Sequence, residues 1–223
     1  MPGYVYVGRY MGYAVRLPHS QGESNRYESR RASSSDSRAI TEFLNLNGKN
    51  KAFCPLITID DIGSGKYPGL AIDDFTLMSD RSGKLVAAGA LWDQSAYKQY
   101  VVQGYNGWLR FLKPFSGALQ LFGYPMLPNI GSIIDFKTLS FWSVEKDNPS
   151  MFQEFLYCLG SNTCGCAFVV VGVDDKNNLR ETLQRRSIVR YASRLYIVDF
   201  EKNGKARDLA KSISNCYLEY GLL

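Results

Sequence analysis

One histidine serves the whole chain, His19, and it lies in the polar stretch LPHSQGESN. A catalytic triad or a histidine acid–base pair would have to use it from a segment with little to hold it in place. The five cysteines lack the paired spacing of a zinc site, so no metal is expected. Their odd number, and the close spacing of Cys164-Gly-Cys166, fit free thiols in a reducing, cytoplasmic setting. Without a neighbouring imidazole, Cys164 and Cys166 read as small core-edge residues rather than nucleophiles. Long apolar runs are also missing: the longest, residues 167–171, is far short of the roughly 20 residues needed to span a bilayer. The N-terminus shows no charged-then-apolar signal pattern. The net charge is +5, yet no dense run of Lys and Arg occurs. A nucleic-acid partner is therefore not expected, while a small anionic ligand suits the mild basic excess.

What is present is an ordinary globular composition, 45% hydrophobic and 21% charged over 223 residues, enough for one large domain or a domain with an extension. Residues 4–17 alternate imperfectly and predict one or two short strands. PHSQGESN follows as a linker by composition, so residues 1–24 read as an N-terminal extension and a new unit starts near Asn25. YESRRASSSDSRAITEFLNLNGKN predicts strand, loop and helix. Ser35 or Asp36 would cap that helix, Ala39, Ile40, Phe43 and Leu44 would share a face, and Asn47-Gly48 would stop it. Thr58 would cap a short second helix. DDFTLMSD and KLVAAGALWDQ predict a hairpin around the turn RSG.

FKTLSFWSV predicts the next strand. Asn148 and Pro149 make a helix start, an N-cap followed by proline at the first helical position, with Phe152, Phe155, Leu156 and Leu159 on one face. CAFVVVGVD predicts a strand buried on both faces. A short helix capped by Asn177, the strand RYASRLYIVDF and a final strand in NCYLEYGLL complete the order. The strand–helix–strand unit over residues 137–173 demands a parallel pair with a right-handed crossover, and the hairpin demands antiparallel neighbours. The expected fold is a mixed α/β sheet, mostly antiparallel with a central parallel pair, and helices on both faces.

Residues 95–135 stand apart as an insertion. Trp108, Phe111, Leu112, Phe115, Leu119 and Phe122 recur at helical spacing, and Pro114 and Gly117 interrupt them, which predicts a kinked or broken helix. Three readings are open: a cover over one sheet face, a lid or acceptor pocket lined by Tyr97, Tyr100, Tyr105 and Trp108, or a membrane-surface helix with Arg110 and Lys113 toward headgroups. Pro114 and the short length count against the membrane surface.

RRASSSDSRAITEFLN, KLVAAGALWDQ and LSFWSV before the Asn148 helix carry a resemblance to the GNAT superfamily of N-acetyltransferases. ALWDQSAYKQYVVQGY, LSFWSVEKDNPSMFQEFL and RYASRLYIVDF are similar to bacterial proteins with two GNAT-like halves, of which this chain looks like the second. The resemblance covers residues 25–223. It implies an acyl-CoA-dependent N-acyltransferase, with acetyl-CoA as co-substrate and a small-molecule or peptide amine as acceptor. A homodimer, or contact with another GNAT-like half, is compatible with it.

In that family the cofactor lies where two parallel strands splay, with its pyrophosphate on backbone N–H groups at the following helix. Carried onto this chain, the resemblance puts cofactor contacts at Trp142, Ser143, Val144, Lys146, Asn148, Ser150, Met151, Phe152 and Asn177. Substrate contacts fall at Trp92, Gln94, Tyr97 and Trp108. Glu145, at the end of the central strand, takes the position of a general base, and Tyr191 that of the acid that protonates the thiolate. The loop EKDNPSM departs from the family pattern. It has no glycine, Pro149 donates no N–H, and Glu145 and Asp147 bring negative charge toward an anion. The second reading follows from that departure: a degenerate, non-catalytic GNAT-like module that binds a partner.

Overall fold

The computed structural model describes residues 2–18, 26–62, 64–115, 117, 127–162, 166, 168–201 and 204–223. Among these, seven strands form one sheet in the order β2-β3-β4-β5-β6-β1-β7. The strands are β1 (Gly3–Val15), β2 (Tyr27–Arg31), β3 (Phe75–Asp80), β4 (Leu85–Trp92), β5 (Phe136–Val144), β6 (Phe168–Asp174) and β7 (Ser187–Asp199). Every pairing between these strands is antiparallel except β5 with β6. The helices are α1 (Ser37–Gly48), α2 (Trp108–Leu112), α3 (Pro149–Asn162), α4 (Arg180–Arg186) and α5 (Lys205–Ser212). The mixed, mostly antiparallel α/β class expected from the sequence is the class observed.

Strand alternation divides the core between two faces. Val86 and Ala87 of β4 and Leu139 and Trp142 of β5 join Phe152, Phe155, Leu156 and Leu159 of α3 in the larger cluster. Ala88, Ala90 and Phe141 point the other way, toward Ile40 and Leu44 of α1. Of the four α1 residues expected on one face, Ala39 is exposed and Phe43 only half-buried. All four α3 residues expected on one face are fully buried. Each buried aromatic or leucine there is worth about 1.5–3 kcal/mol, which fixes the helix against the sheet. The Asn148 carboxamide oxygen accepts from the N–H groups of Ser150 (2.9 Å) and Met151 (3.2 Å), so the cap read from the sequence is formed. Asn177 does the same for Leu179 ahead of α4 (2.8 Å).

Three expectations need correction. Residues 4–17, read as an extension of one or two short strands, form a single long strand that lies between β6 and β7. Tyr10, Tyr13 and Val15 are fully buried in it. The alternation looks imperfect because β1 carries a bulge at Val7 against β7 and because glycines at 8 and 12 replace side chains. The second helix after Thr58 is one 3₁₀ turn, Ile59–Asp61. NCYLEYGLL is not a strand: it makes one bridge, Cys216 to Ala52, and ends in a 3₁₀ turn, Tyr220–Leu222. The helix α5 before it carries no signal the sequence reading used.

The insertion runs as α2 and a 3₁₀ turn, Lys113–Phe115, in its described part. Phe111 and Phe115 are largely exposed. Lys113 donates to the Leu127 carbonyl (2.7 Å) and Tyr105 to that of Pro128 (2.7 Å), which ties the two ends of the segment together. Leu119 and Phe122, like His19 and Cys164, fall outside the described residues, as does the side chain of Trp108. No helix among the described residues is long and apolar enough to cross a membrane.

Candidate functional site

β5 and β6 run parallel but pair over only three positions, Phe136 with Phe168, Lys137 with Val169 and Thr138 with Val170. Beyond Thr138, β5 continues beside β4 and β6 beside β1. At the point of divergence Phe141 adopts φ +46°, where the β4–β5 register shifts. A bulky residue in the left-handed region costs about 1–3 kcal/mol, so the surroundings must hold it there. The bulge turns the N–H groups of Phe141 and Trp142 away from an ordinary ladder and into the opening between the strands.

The chain's own C-terminal segment fills that opening. Glu219 is fully buried, and one of its oxygens accepts from the Phe141 N–H (2.6 Å) and from the Tyr217 hydroxyl (2.8 Å). Its other oxygen accepts from the Gly221 N–H (3.1 Å). The Tyr217 oxygen in turn accepts from the Trp142 N–H (3.2 Å). Burial pushes the Glu219 carboxyl above the usual range, against the pull of its hydrogen bonds, and holds the Tyr217 phenol well above its ordinary value. On the far wall, Asp174 at the end of β6 accepts from the Cys216 N–H (2.9 Å) and thiol (2.9 Å). Burial, together with that pairing, lifts the thiol pKa to about 12. Tyr10 of β1 donates to the Leu218 carbonyl (2.7 Å). The segment therefore joins β5, β6 and β1 mainly through side chains, which is why it needs no strand geometry.

Small residues make the seat. A Cβ on Gly172 would lie 2.5 Å from Cδ2 of Tyr220 and 2.6 Å from Cε1 of Tyr10, and one on Gly12 would strike the Tyr220 hydroxyl. Gly172→Ala should lower stability by about 1–3 kcal/mol, read from urea denaturation, because two packed rings must move. An unchanged midpoint would mean that Tyr220 is not held there.

The sequence-predicted residues divide by location. Gln94 and Trp92 reach this site: Gln94 is buried and donates to the Gly221 carbonyl (2.7 Å) and to the Tyr97 hydroxyl (3.0 Å), and accepts from Thr138 (3.3 Å). Trp92 is buried against Phe141 and Tyr67, its indole N–H bonded to the Pro68 carbonyl (2.9 Å). Tyr97 is half-exposed beside Trp92. Trp142, Ser143, Val144 and Phe152 are core residues, with Trp142 stacked on Phe152 at 5.0 Å. Met151 is half-buried against the same cluster.

The loop between β5 and α3 is already neutralised from within. Lys84 pairs with Glu145 (2.7 Å) and Lys51 with Asp147 (2.6 Å). Asn177 donates its amide to the second oxygen of Asp147 (3.1 Å). Lys146 and Asp147 both take positive φ, +55° and +47°. The first N–H groups of α3 are spent on Asn148: Ser150 and Met151 on its side chain, Phe152 on its carbonyl (2.9 Å). Lys146, Asn148 and Ser150 are exposed beside this self-capped end. Glu145 and Tyr191 are not brought together. Tyr191 lies on β7 opposite Gly12 of β1, which is itself opposite Gly172 of β6, so three strand spacings, on the order of 14 Å, separate it from β5.

The residues that define the site, Tyr217, Glu219, Tyr220, Tyr10 and Asp174, were missed by sequence reasoning. A carboxylate among aromatics in NCYLEYGLL was the available signal, since a charge in an apolar run has to find buried donors. No group of metal-binding side chains occurs among the described residues. Compared with known proteins, the chain matches no family model and no curated sequence.

Proposed function

We propose that this chain is a non-catalytic GNAT-like module, in which the C-terminal segment holds the opening that an acyl-CoA would enter. One observation carries this reading: Glu219 and Tyr217 occupy the Phe141 and Trp142 N–H groups inside the strand divergence. Acyl transfer needs free donors where an oxyanion develops, a free base and a cradle for the pyrophosphate. Here the donors are bonded, Glu145 is paired with Lys84, and the N-terminus of α3 is capped by Asn148.

The second reading is an acetyl-CoA-dependent N-acyltransferase acting on a small or peptide amine. It is favoured by the parallel pair and its early divergence, and would require the C-terminal segment to leave. Thermal unfolding with millimolar acetyl-CoA separates the two. A ligand at 100 times its dissociation constant stabilises by about 2.7 kcal/mol, roughly 5–10 °C in a chain of this size. The expected result is no shift. A shift of that size, or transfer to any amine, would overturn the non-catalytic reading. A cytoplasmic setting remains the inference from the free thiols.

A further inference from the structure

Where the first half of β1 pairs with β7, only one face of the sheet is packed. Along β7 the odd positions from Ser193 to Asp199 are half-buried, Leu195 and Ile197 against the Tyr10 cluster. The even positions from Arg190 to Val198 are exposed. On β1 the exposed positions are Tyr4, Tyr6 and Arg9, because the bulge at Val7 moves the outward positions from even to odd. Tyr6 stands opposite Tyr196, and Arg9 opposite Arg194. The open face therefore carries three tyrosines at one end, with Arg9, Arg194 and Arg190 beside them. Tyr4, Tyr6 and Tyr196 are 69%, 52% and 47% exposed. Tyr196 is edge-on to Tyr4 (6.5 Å) and Tyr6 (5.6 Å), and among the described residues the three rings have no other aromatic contact. No carboxylate occupies an exposed position of either strand on this face. Asp175, which pairs with Arg9 (3.2 Å), is shared with Arg180 (2.8 Å). Among the described residues Arg190 and Arg194 form no ion pair.

We propose that this face binds single-stranded nucleic acid, with bases stacked on Tyr4, Tyr6 and Tyr196 and phosphates on Arg190, Arg194 and Arg9. Open aromatic rings beside unpaired arginines on a sheet suit a polyanion whose backbone carries planar rings. The planar guanidinium fork matches phosphate oxygens. Cross-strand pairing explains why tyrosines face one another, but it does not explain cations without an acid among them. Arg9 and Arg194 are direct cross-strand partners, and like charges there are destabilising; a phosphate between them removes that cost. Along β7, Tyr196 stands about 7 Å from Arg194 on one side and Arg190 about 14 Å on the other, so one extended strand reaches all three. A duplex hides its base faces and an acidic peptide lacks bases, so neither uses both features. The absence of a Lys and Arg run speaks against a nucleic-acid partner in the sequence, but strand pairing gathers these arginines from opposite ends of the chain. The net charge of +5 has the required sign.

The test is fluorescence anisotropy of labelled oligouridine and oligothymidine, about 15 nucleotides long, titrated with the full chain. Micromolar binding is expected in about 50 mM salt, and with two or three phosphates neutralised a fourfold rise in salt should weaken it roughly seven- to twentyfold. A preference between the two oligonucleotides distinguishes RNA from DNA as the source. Arg194→Gln should lower affinity and reduce the slope of log affinity against log salt by about 0.7. Tyr6→Thr keeps a good strand former but removes a ring; it should weaken binding at least about fivefold and leave the salt slope unchanged. Tyr6→Phe should bind like the parent. Melting temperatures of the variants, read in parallel, separate lost binding from lost folding. Poly-glutamate at equal charge should displace neither oligonucleotide. No anisotropy change at about 100 μM chain, the weak end of non-specific binding, would overturn the proposal. So would full affinity in Tyr6→Thr, or displacement by poly-glutamate, which would make an acidic peptide the occupant. None of these readouts involves acetyl-CoA, so the result stands apart from that of the cleft.

Discussion

Glu219→Ala is expected to destabilise the chain by about 3–5 kcal/mol, the largest effect of any single change considered. The carboxylate is the shared acceptor for the Phe141 and Gly221 N–H groups and the Tyr217 hydroxyl, all three bonds being buried. Each orphaned buried donor costs about 1–3 kcal/mol, and the removed side chain leaves a void as well. The loss should appear as a lower urea midpoint. It should also spread: Phe141 is held at positive φ by this contact, so the bulge in β5 should relax with it. A cost below about 1 kcal/mol, less than one such donor, would mean that the C-terminal segment lies loosely over the opening.

The same group has a pH signature of definite sign. Burial raises the folded-state pKa of Glu219 above its unfolded value. Between those two values the folded chain binds more protons than the unfolded one, so the contribution to stability falls as pH rises. It is most favourable below the unfolded value, near about 4.3, and levels off above the folded one. Asp61 and Asp80 work in the opposite sense, since hydrogen bonds lower their pKa values. The difference between wild type and Glu219→Gln isolates the buried group. The variant should lack the decline that Glu219 contributes, while losing some stability because its amide nitrogen would face the Gly221 N–H.

How far the sequence reaches is clear from particular elements. β3, β4, β5, α3 and β6 were legible because each combines a strong period with a local stop or cap. Asn148-Pro149 states a helix start within two residues, and Phe152, Phe155, Leu156 and Leu159 repeat at helical spacing. β1 was legible as extended chain, but not as an interior strand. Its two partners lie more than 150 residues away, and neither side of such a pairing announces the other. The same holds for the site. The resemblance sets Glu145 at the place of a general base without showing its partner Lys84, 61 positions distant, and Asp147 reads as a repulsive charge because Lys51 is 96 positions distant. Local spacing gives a residue's chemistry, but the partner that uses it is set by topology.

Lys51→Met should cost about 2–3 kcal/mol, and it probes the second group of contacts that close the site. Lys51 and Asp147 are 10% and 17% exposed, and Asn177 completes the carboxylate's bonding. Breaking a buried pair costs about 3–5 kcal/mol when one charge is stranded; the residual solvent contact here places the effect at or below the lower end. Asp147→Asn should cost less. Asparagine tolerates the left-handed conformation at φ +47°, but its amide then faces the Lys51 ammonium. The double variant, Lys51→Met with Asp147→Asn, removes both charges and should be less destabilised than the sum of the singles, by about 1–3 kcal/mol. Measured by denaturation, that coupling is the strength of the tie between the loop after α1 and the loop before α3. Strict additivity would reduce the contact to a screened surface pair and leave the loop free to open.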